Sequence, residues 1–332
     1  MREAIMKKNI SIYSLLILSF AVILLFGYSC DFKKEKAYVV GIVNPSTGLT
    51  DVVKGFKEGM EARGYQERGN ITYLYDGPLE GTDAVDAAIS EMLTKEVDLI
   101  YSLTTPASRK LKKALAGTDI PGVFAPVFDP VNAGIVNSLA KPGGQMTGVK
   151  VRGSTAKALE WLITIVPDVK RIFAPFHITD KAACLTIEDL QAAAEKLNIN
   201  LVTEDVTTGE ELETALTRIP VDTDALWLTC SHLLLSNVDK IVQAAEERKI
   251  PVASSTHSMQ KSGILVTYGE YDTGLGKQAA RLADKLLKGA SPKTVPVETA
   301  EFKLVVNLET ATKLGIKVPE TVLKQADHII RW

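Results

Sequence analysis

Short β-branched runs alternate with longer amphipathic segments from residue 38 onward, and the alternation starts twice. Tyr38-Val-Val-Gly-Ile-Val43 precedes a helical pattern over Val52–Arg63, and Ile71–Tyr75 precedes one over Asp83–Lys95. Val97–Ser102 is followed by a helical pattern over Pro106–Ala116, and Pro121–Ala125 ends the first set. Fully apolar runs of four to six residues between 3.6-period segments specify a parallel sheet covered on both faces. The second set runs helix Ser154–Val166, strand Arg171–Pro175, helix Ile187–Leu197 and strand Asn200–Asp205. It continues through helix Glu210–Ile219, strand Ala225–Thr229, helix Val238–Arg248 and strand Pro251–Ser255. The expected fold is α/β, two doubly wound parallel-sheet lobes with a hinge between them.

Lys141-Pro-Gly-Gly144 is the natural junction. A strand at Leu265–Tyr268, a long helix over Thr273–Lys288 and a last strand at Phe302–Asn307 suit a tail that crosses back between the lobes. The expected division is residues 37–147 plus about 270–292 for the first lobe, and 148–265 plus about 295–332 for the second.

The N-terminus reads differently. Arg2, Lys7 and Lys8 precede an apolar run, Ile10–Phe26, and Gly27-Tyr-Ser29 leads to Cys30. A charged start, an apolar stretch and a small-residue end describe a secretory signal peptide over residues 1–29, with 30–36 as a charged tether. The 17-residue run is short of the ~20 residues a membrane span needs. An uncleaved anchor helix is the alternative, and either reading places the remainder outside the cytoplasm.

The 303 residues after position 29 carry 35 basic and 39 acidic side chains. That balance gives no basic excess for nucleic acid. Cys184 and Cys230, the two cysteines left beyond Cys30, form no disulfide framework, although a single bridge between them is possible in an oxidising compartment. No G-x-S-x-G, G-x-x-x-x-G-K-[ST] or G-x-G-x-x-G occurs, so neither a nucleophile elbow nor a nucleotide loop is marked, and no cofactor is implied. Cys230 and His232 stand two apart and would face the same way on an extended strand, but a small hydrophobe beside a loop histidine is the commoner case. The chain is read as a binding protein and not an enzyme.

Open parallel sheets hold ligands beyond the carboxyl ends of their strands. The residues that follow each strand are therefore the candidates: Ser46, Thr104, Thr105, Phe128 and Asp129 in the first half. His177, Ser231, His232, Thr256 and His257 stand in the equivalent places of the second half, and Tyr268 lies on the crossover. Thr105 suits an N-cap with Pro106 at the first helical position, which leaves backbone N–H groups for a carboxylate or phosphate. Asp129 bonds a loop backbone or a ligand donor, or acts as a base. Three of the four histidines follow second-half strands. They are open to three readings: loop hydrogen bonds, donation to an anionic or polar-aromatic ligand, or a metal or metal-chelate site. No H-E-x-x-H supports the last.

Val97-Asp-Leu-Ile-Tyr-Ser-Leu-Thr-Thr-Pro-Ala107, Asp129-Pro-Val-Asn-Ala-Gly134 and Lys141-Pro-Gly-Gly-x-x-Thr-Gly148 resemble the tryptophan/tyrosine-type substrate-binding proteins of ABC transporters. Asp119-Ile-Pro-Gly-Val-Phe124, Tyr268-Gly269, Leu275-Gly276, Leu304-Val-Val-Asn307 and Leu314–Glu320 extend the resemblance over Tyr38–Asp327. It implies a periplasmic-binding fold of the first type, acting as a monomer, that closes on a small ligand and delivers it to a membrane permease. Cys30 resembles the modified cysteine of a bacterial lipoprotein, with Gly27 where Leu is usual, which implies a lipid anchor on the extracytoplasmic face. An input subunit of a membrane sensor would use the same lobes. Departures concern the ligand: Thr50, Ser231 and Thr256 stand where the family has Asp, and His177 where Asn is usual. Hydroxyls there meet a buried ammonium less well than carboxylates do.

Overall fold

The computed structural model describes residues 36–256 and 263–331. The chain opens with β1 (Tyr38–Val43), β2 (Ile71–Leu74), β3 (Leu99–Ser102), β4 (Gly122–Val127) and β5 (Met146–Lys150). It continues with β6 (Arg171–His177), β7 (Asn200–Val206), β8 (Ala225–Leu228), β9 (Val252–Ser254) and β10 (Val266–Glu270). β11 (Glu298–Thr299), β12 (Phe302–Asn307) and β13 (His328–Ile330) complete the strands.

Two sheets form, ordered β11-β5-β4-β3-β1-β2 and β13-β12-β10-β9-β8-β6-β7. Strand pairing is parallel except between β10 and β12. Successive residues of a strand face opposite ways, so a sheet covered on both faces must be apolar on both. Val40, Ile42, Tyr101 and Val123 enter one core of the first sheet, while Val43, Ile100, Phe124 and Val127 enter the other. Ile172, Ala174 and Trp227 against Phe173, Leu226 and Leu228 repeat the arrangement in the second sheet. Aspartates at the strand entries fix the registers. Asp98 accepts from the Val39 N–H at 2.8 Å, and Asp224 from the Lys170 and Arg171 N–H groups at 2.8 Å each.

The chain passes between the sheets after β5, after β10 and after β11. The helix after β10, Asp272–Leu287, returns to the first sheet and packs on the Thr50–Glu61 helix. Glycines make that approach possible: a Cβ on Gly276 would stand 2.1 Å from the Val52 carbonyl oxygen, and one on Gly55 2.2 Å from that of Thr273.

β5 was not expected from the sequence, because Thr147, Gly148 and Lys150 dilute its apolar signal. It joins the first sheet because Gly148 lets its backbone lie against β4; a Cβ there would meet the Phe124 carbonyl oxygen at 2.1 Å. Cys184 and Cys230 are both free thiols. Among the described residues no helix is long and apolar enough to cross a membrane. The signal-peptide and Cys30 readings lie outside the described residues.

Candidate functional site

A cavity of about 640 Å³ opens at the carboxyl edges of the two sheets, with walls from both. One wall is the start of the Thr105–Ala114 helix with Phe128, Asp129 and Ala133; the other is His177 and the start of the Lys181–Lys196 helix. Thr104, Thr105, Phe128, Asp129 and His177, all expected from the sequence, line it together. Pro106, Ala133, Ala182 and Leu185 make much of the lining apolar, and Arg109, Thr179, Asp180 and Lys181 add polar groups.

The N-cap of the first helix is Thr104, not Thr105, and it accepts weakly from the Ala107 N–H at 3.5 Å. Pro106 falls one position later than expected, still within the first turn, where no intrahelical N–H is needed. Ser108 ties this start down, donating to the Thr104 carbonyl at 2.8 Å with its Oγ 2.9 Å from that of Ser102. The Thr105 hydroxyl accepts from the Phe128 N–H at 3.4 Å and so links the helix start to the chain after β4.

Thr104 holds φ 73° and ψ 152°, a region that glycine occupies freely and other residues enter at a cost of about 1–3 kcal/mol. Such strain persists only where the surrounding structure over-determines the conformation. Thr104→Gly is expected to raise stability by about 1 kcal/mol, since the relief exceeds the few tenths lost with the cap and the entropy of glycine. The same change is expected to weaken ligand binding. Thermal unfolding beside a ligand titration checks both, and a destabilised variant would contradict the strain assignment.

On the opposite wall Asp180 caps the Lys181–Lys196 helix, accepting from Ala182 N–H at 2.8 Å and Ala183 N–H at 3.5 Å. Sequence periodicity starts this helix at Ile187, six residues late. The missed signal was Asp180 as N-cap before the strong helix formers Ala182 and Ala183. The His177 Nε2 lies 2.8 Å from the Thr179 hydroxyl.

The other expected residues are placed elsewhere. Ser46 precedes the 3-10 turn Thr47–Leu49, where its N–H donates to the buried Asn44 Oδ1 at 3.1 Å. Ser231 is buried and accepts from the Leu234 N–H at 3.2 Å. Thr256 is buried with its Oγ1 3.1 Å from Ser254 Oγ. Tyr268 lies within β10 and packs on Phe302, with ring centroids 5.8 Å apart. His232 begins a one-turn helix, His232–Leu235, and His257 lies outside the described residues. The strands that precede the three histidines, β6, β8 and β9, are neighbours in the second sheet. Among the described residues no group of three His, Cys, Asp or Glu could hold a metal ion.

Asp129 serves the cavity wall through its partners. It accepts from the Asn132 N–H at 3.0 Å, from Asn132 Nδ2 at 2.8 Å and from Arg152 Nη1 at 3.1 Å. Burial works to raise its carboxyl, but the Asn132 and Arg152 hydrogen bonds outweigh that and hold it below the usual carboxylate range. Arg152, on the first crossing, also grips Asp189 of the Lys181–Lys196 helix through Nε at 2.9 Å and Nη2 at 2.7 Å. One guanidinium thus joins a first-sheet loop to a second-sheet helix directly beside the cavity. A second cavity of about 740 Å³ borders Asn307 and His328, and none of the expected site residues lines it.

Comparison with known proteins agrees with this geometry. The sequence profile described as ABC transporter substrate binding protein matches residues 37–330. A tyrosine-binding protein of Clostridioides difficile is 29% identical over 288 residues, 86% of this chain and 83% of that protein. An ABC domain from Streptococcus pneumonia, solved in complex with L-Trp, superposes with a TM-score of 0.75 at 28% identity, covering 89% of this chain and all (100%) of that one. A ligand-free, open substrate-binding protein with adhesive properties from Clostridium difficile gives 0.76 at 25% identity, with the same coverage of 89% and 100%. These proteins bind solutes and are not enzymes. The two parallel-dominated sheets, the cavity at their carboxyl edges and the profile over nearly the whole described chain place this protein in the ABC transporter substrate-binding protein family.

Proposed function

We propose that this protein captures a small amino-acid-like solute, with an apolar or aromatic side chain, between two lobes outside the cytoplasm and presents it to an ABC permease. One lobe is built on the β11-β5-β4-β3-β1-β2 sheet and the other on the β13-β12-β10-β9-β8-β6-β7 sheet. The observation that carries the reading is the 640 Å³ cavity, lined from both sheets by apolar side chains between two helix starts. That size falls within the ~300–1,000 Å³ of small-molecule sites. Its apolar lining suits a ring or aliphatic body, and the N–H groups at the Thr105–Ala114 helix start suit a carboxylate. The tyrosine-binding relative and the relative solved with L-Trp support an amino acid as the solute.

Closure about the three crossings sequesters the ligand, and the closed form is what a permease reads. The protein acts as a monomer held at the membrane surface through a lipidated Cys30, a reading that rests on the sequence of residues 1–36.

The Thr105 hydroxyl is the group to test. Thr105→Val keeps the volume and removes a hydroxyl that accepts from the Phe128 N–H and, in this reading, donates to the ligand's carboxylate. Affinity for L-tyrosine and L-tryptophan is expected to fall by about 1–3 kcal/mol, the cost of a hydrogen bond to a charged group. Calorimetry that finds the variant unchanged removes Thr105 from the site.

A further inference from the structure

The first of the three crossings narrows to a single residue. The Val151 and Arg152 N–H groups donate to the Val127 and Phe128 carbonyls at 3.0 and 3.1 Å, so the chain belongs to the first sheet through Arg152. The Ser154 hydroxyl donates to the Ser255 carbonyl at 2.8 Å, and Thr155 Oγ1 lies 3.1 Å from Ser255 Oγ, so from Ser154 onward it belongs to the second. Gly153 stands between them at φ 134°, in the region that favours glycine. A Cβ there would meet only the Lys150 ammonium, at 4.0 Å, so conformation and not packing calls for glycine. Gly153 is a pivot with room to turn.

The Arg152 side chain reaches across this pivot. Its backbone and its bond to Asp129 lie on the first-sheet side. Asp189, which it meets through Nε at 2.9 Å and Nη2 at 2.7 Å, lies on the second-sheet side, with Glu188 Oε2 3.8 Å from Nη2. Two parallel bonds between planar groups fix orientation as well as distance. The Arg152 and Asp189 side chains are 21% and 28% exposed, so water and salt screen the pair only in part. Asp189 stands one turn after Leu185, which lines the 640 Å³ cavity, on the same helix. Neither Arg152 nor Asp189 lines that cavity; both border a separate groove of about 580 Å³.

We infer that Arg152 and Asp189 clamp the Gly153 pivot at the lobe separation that gives the cavity both its walls, and so set ligand affinity as positioning residues that do not touch the ligand. A turn about Gly153 that draws the Lys181–Lys196 helix away from Arg152 breaks the clamp and removes the second wall together. Apparent affinity follows the fraction of molecules in the binding-competent arrangement, so a bond made only in that arrangement raises it. The clamp itself is read from the geometry of the crossing; its effect on affinity rests on the solute-capture reading proposed above.

The test is X-ray scattering of ligand-free wild type and Asp189→Ala, beside calorimetry of both with L-tyrosine and L-tryptophan. Alanine suits the helix and leaves the Arg152–Asp129 pair in place. The variant is expected to keep its fold, to show a larger radius of gyration without ligand, and to bind about fivefold more weakly. Raising salt from about 0.05 M to about 1 M, where the Debye length is ~3 Å, is expected to expand the wild type and leave the variant unchanged. A folded variant with the wild-type radius overturns the clamp. Weaker binding at an unchanged radius does so too, since Asp189 would then act as a local contact. A larger radius with unchanged affinity overturns the link to binding. If Asp189→Ala does not fold, a wild-type radius that salt leaves unchanged overturns the clamp on its own. Wild-type protein that binds neither amino acid removes the amino-acid reading, while the scattering comparison still decides the clamp.

Discussion

Gly276→Val is expected to unfold the protein or to lower its stability by about 3 kcal/mol or more. Overpacking usually costs 1–3 kcal/mol where side chains can give way, but the atoms met here are backbone. A Cβ at position 276 would stand 2.1 Å from the Val52 carbonyl oxygen and 2.4 Å from the Phe56 nitrogen, inside a helix that cannot yield locally. The Asp272–Leu287 helix would have to lift from Thr50–Glu61, and Leu275, Ala279, Leu282 and Leu286 would leave the first-sheet core together. Because this helix follows the second crossing, its release also frees the hinge. Gly289→Ala is a contrasting change: its Cβ meets nothing within 4 Å, so only the positive φ of 94° opposes it. Urea unfolding of the two variants is the measurement. A Gly276→Val protein within 1 kcal/mol of wild type would contradict the close helix approach.

The second large effect belongs to Arg152. Its removal leaves Asp129 and Asp189 facing each other's vicinity without their shared cation, with side chains 19% and 28% exposed. Breaking a fully buried pair costs about 3–5 kcal/mol, and partial exposure screens this one, so about 2 kcal/mol is expected for Arg152→Ala. The pH dependence identifies the source. A carboxyl whose folded pKa is depressed contributes stability that is present above its unfolded value near 3.9 and lost as pH falls through the folded value. Asp129 is depressed in this way. The gap between wild type and Arg152→Ala should therefore be widest near pH 7 and should narrow below about pH 4. Thermal unfolding from pH 2.5 to 7 reads it. A gap independent of pH would mean that the arginine acts by packing alone.

The elements most legible in the sequence are those whose cause is local. Tyr38–Val43, Val238–Arg248 and Phe302–Asn307 were expected with the bounds they have, because periodicity and flanking signals coincide there. The residues beyond the strands were legible as a class, since the carboxyl edge of a parallel sheet is where a site forms. Their final roles depend on depth that no pattern carries. Phe128 borders the cavity, whereas Ser231 and Thr256 are buried and Tyr268 packs on Phe302. The Arg152 network was not legible, because its two aspartates stand 23 and 37 residues away in sequence and meet only through the fold.

The account turns on whether a small amine-bearing solute sits between the two sheets. Native mass spectrometry of the protein purified without added ligand, followed by titration with L-tyrosine and L-tryptophan, tests that directly. The predicted result is a one-to-one adduct in the mass range of an amino acid, or its formation on titration, and its loss in a Phe128→Ala variant that still folds. A folded wild-type protein that takes up neither amino acid, or one whose binding is indifferent to Phe128→Ala, would contradict it.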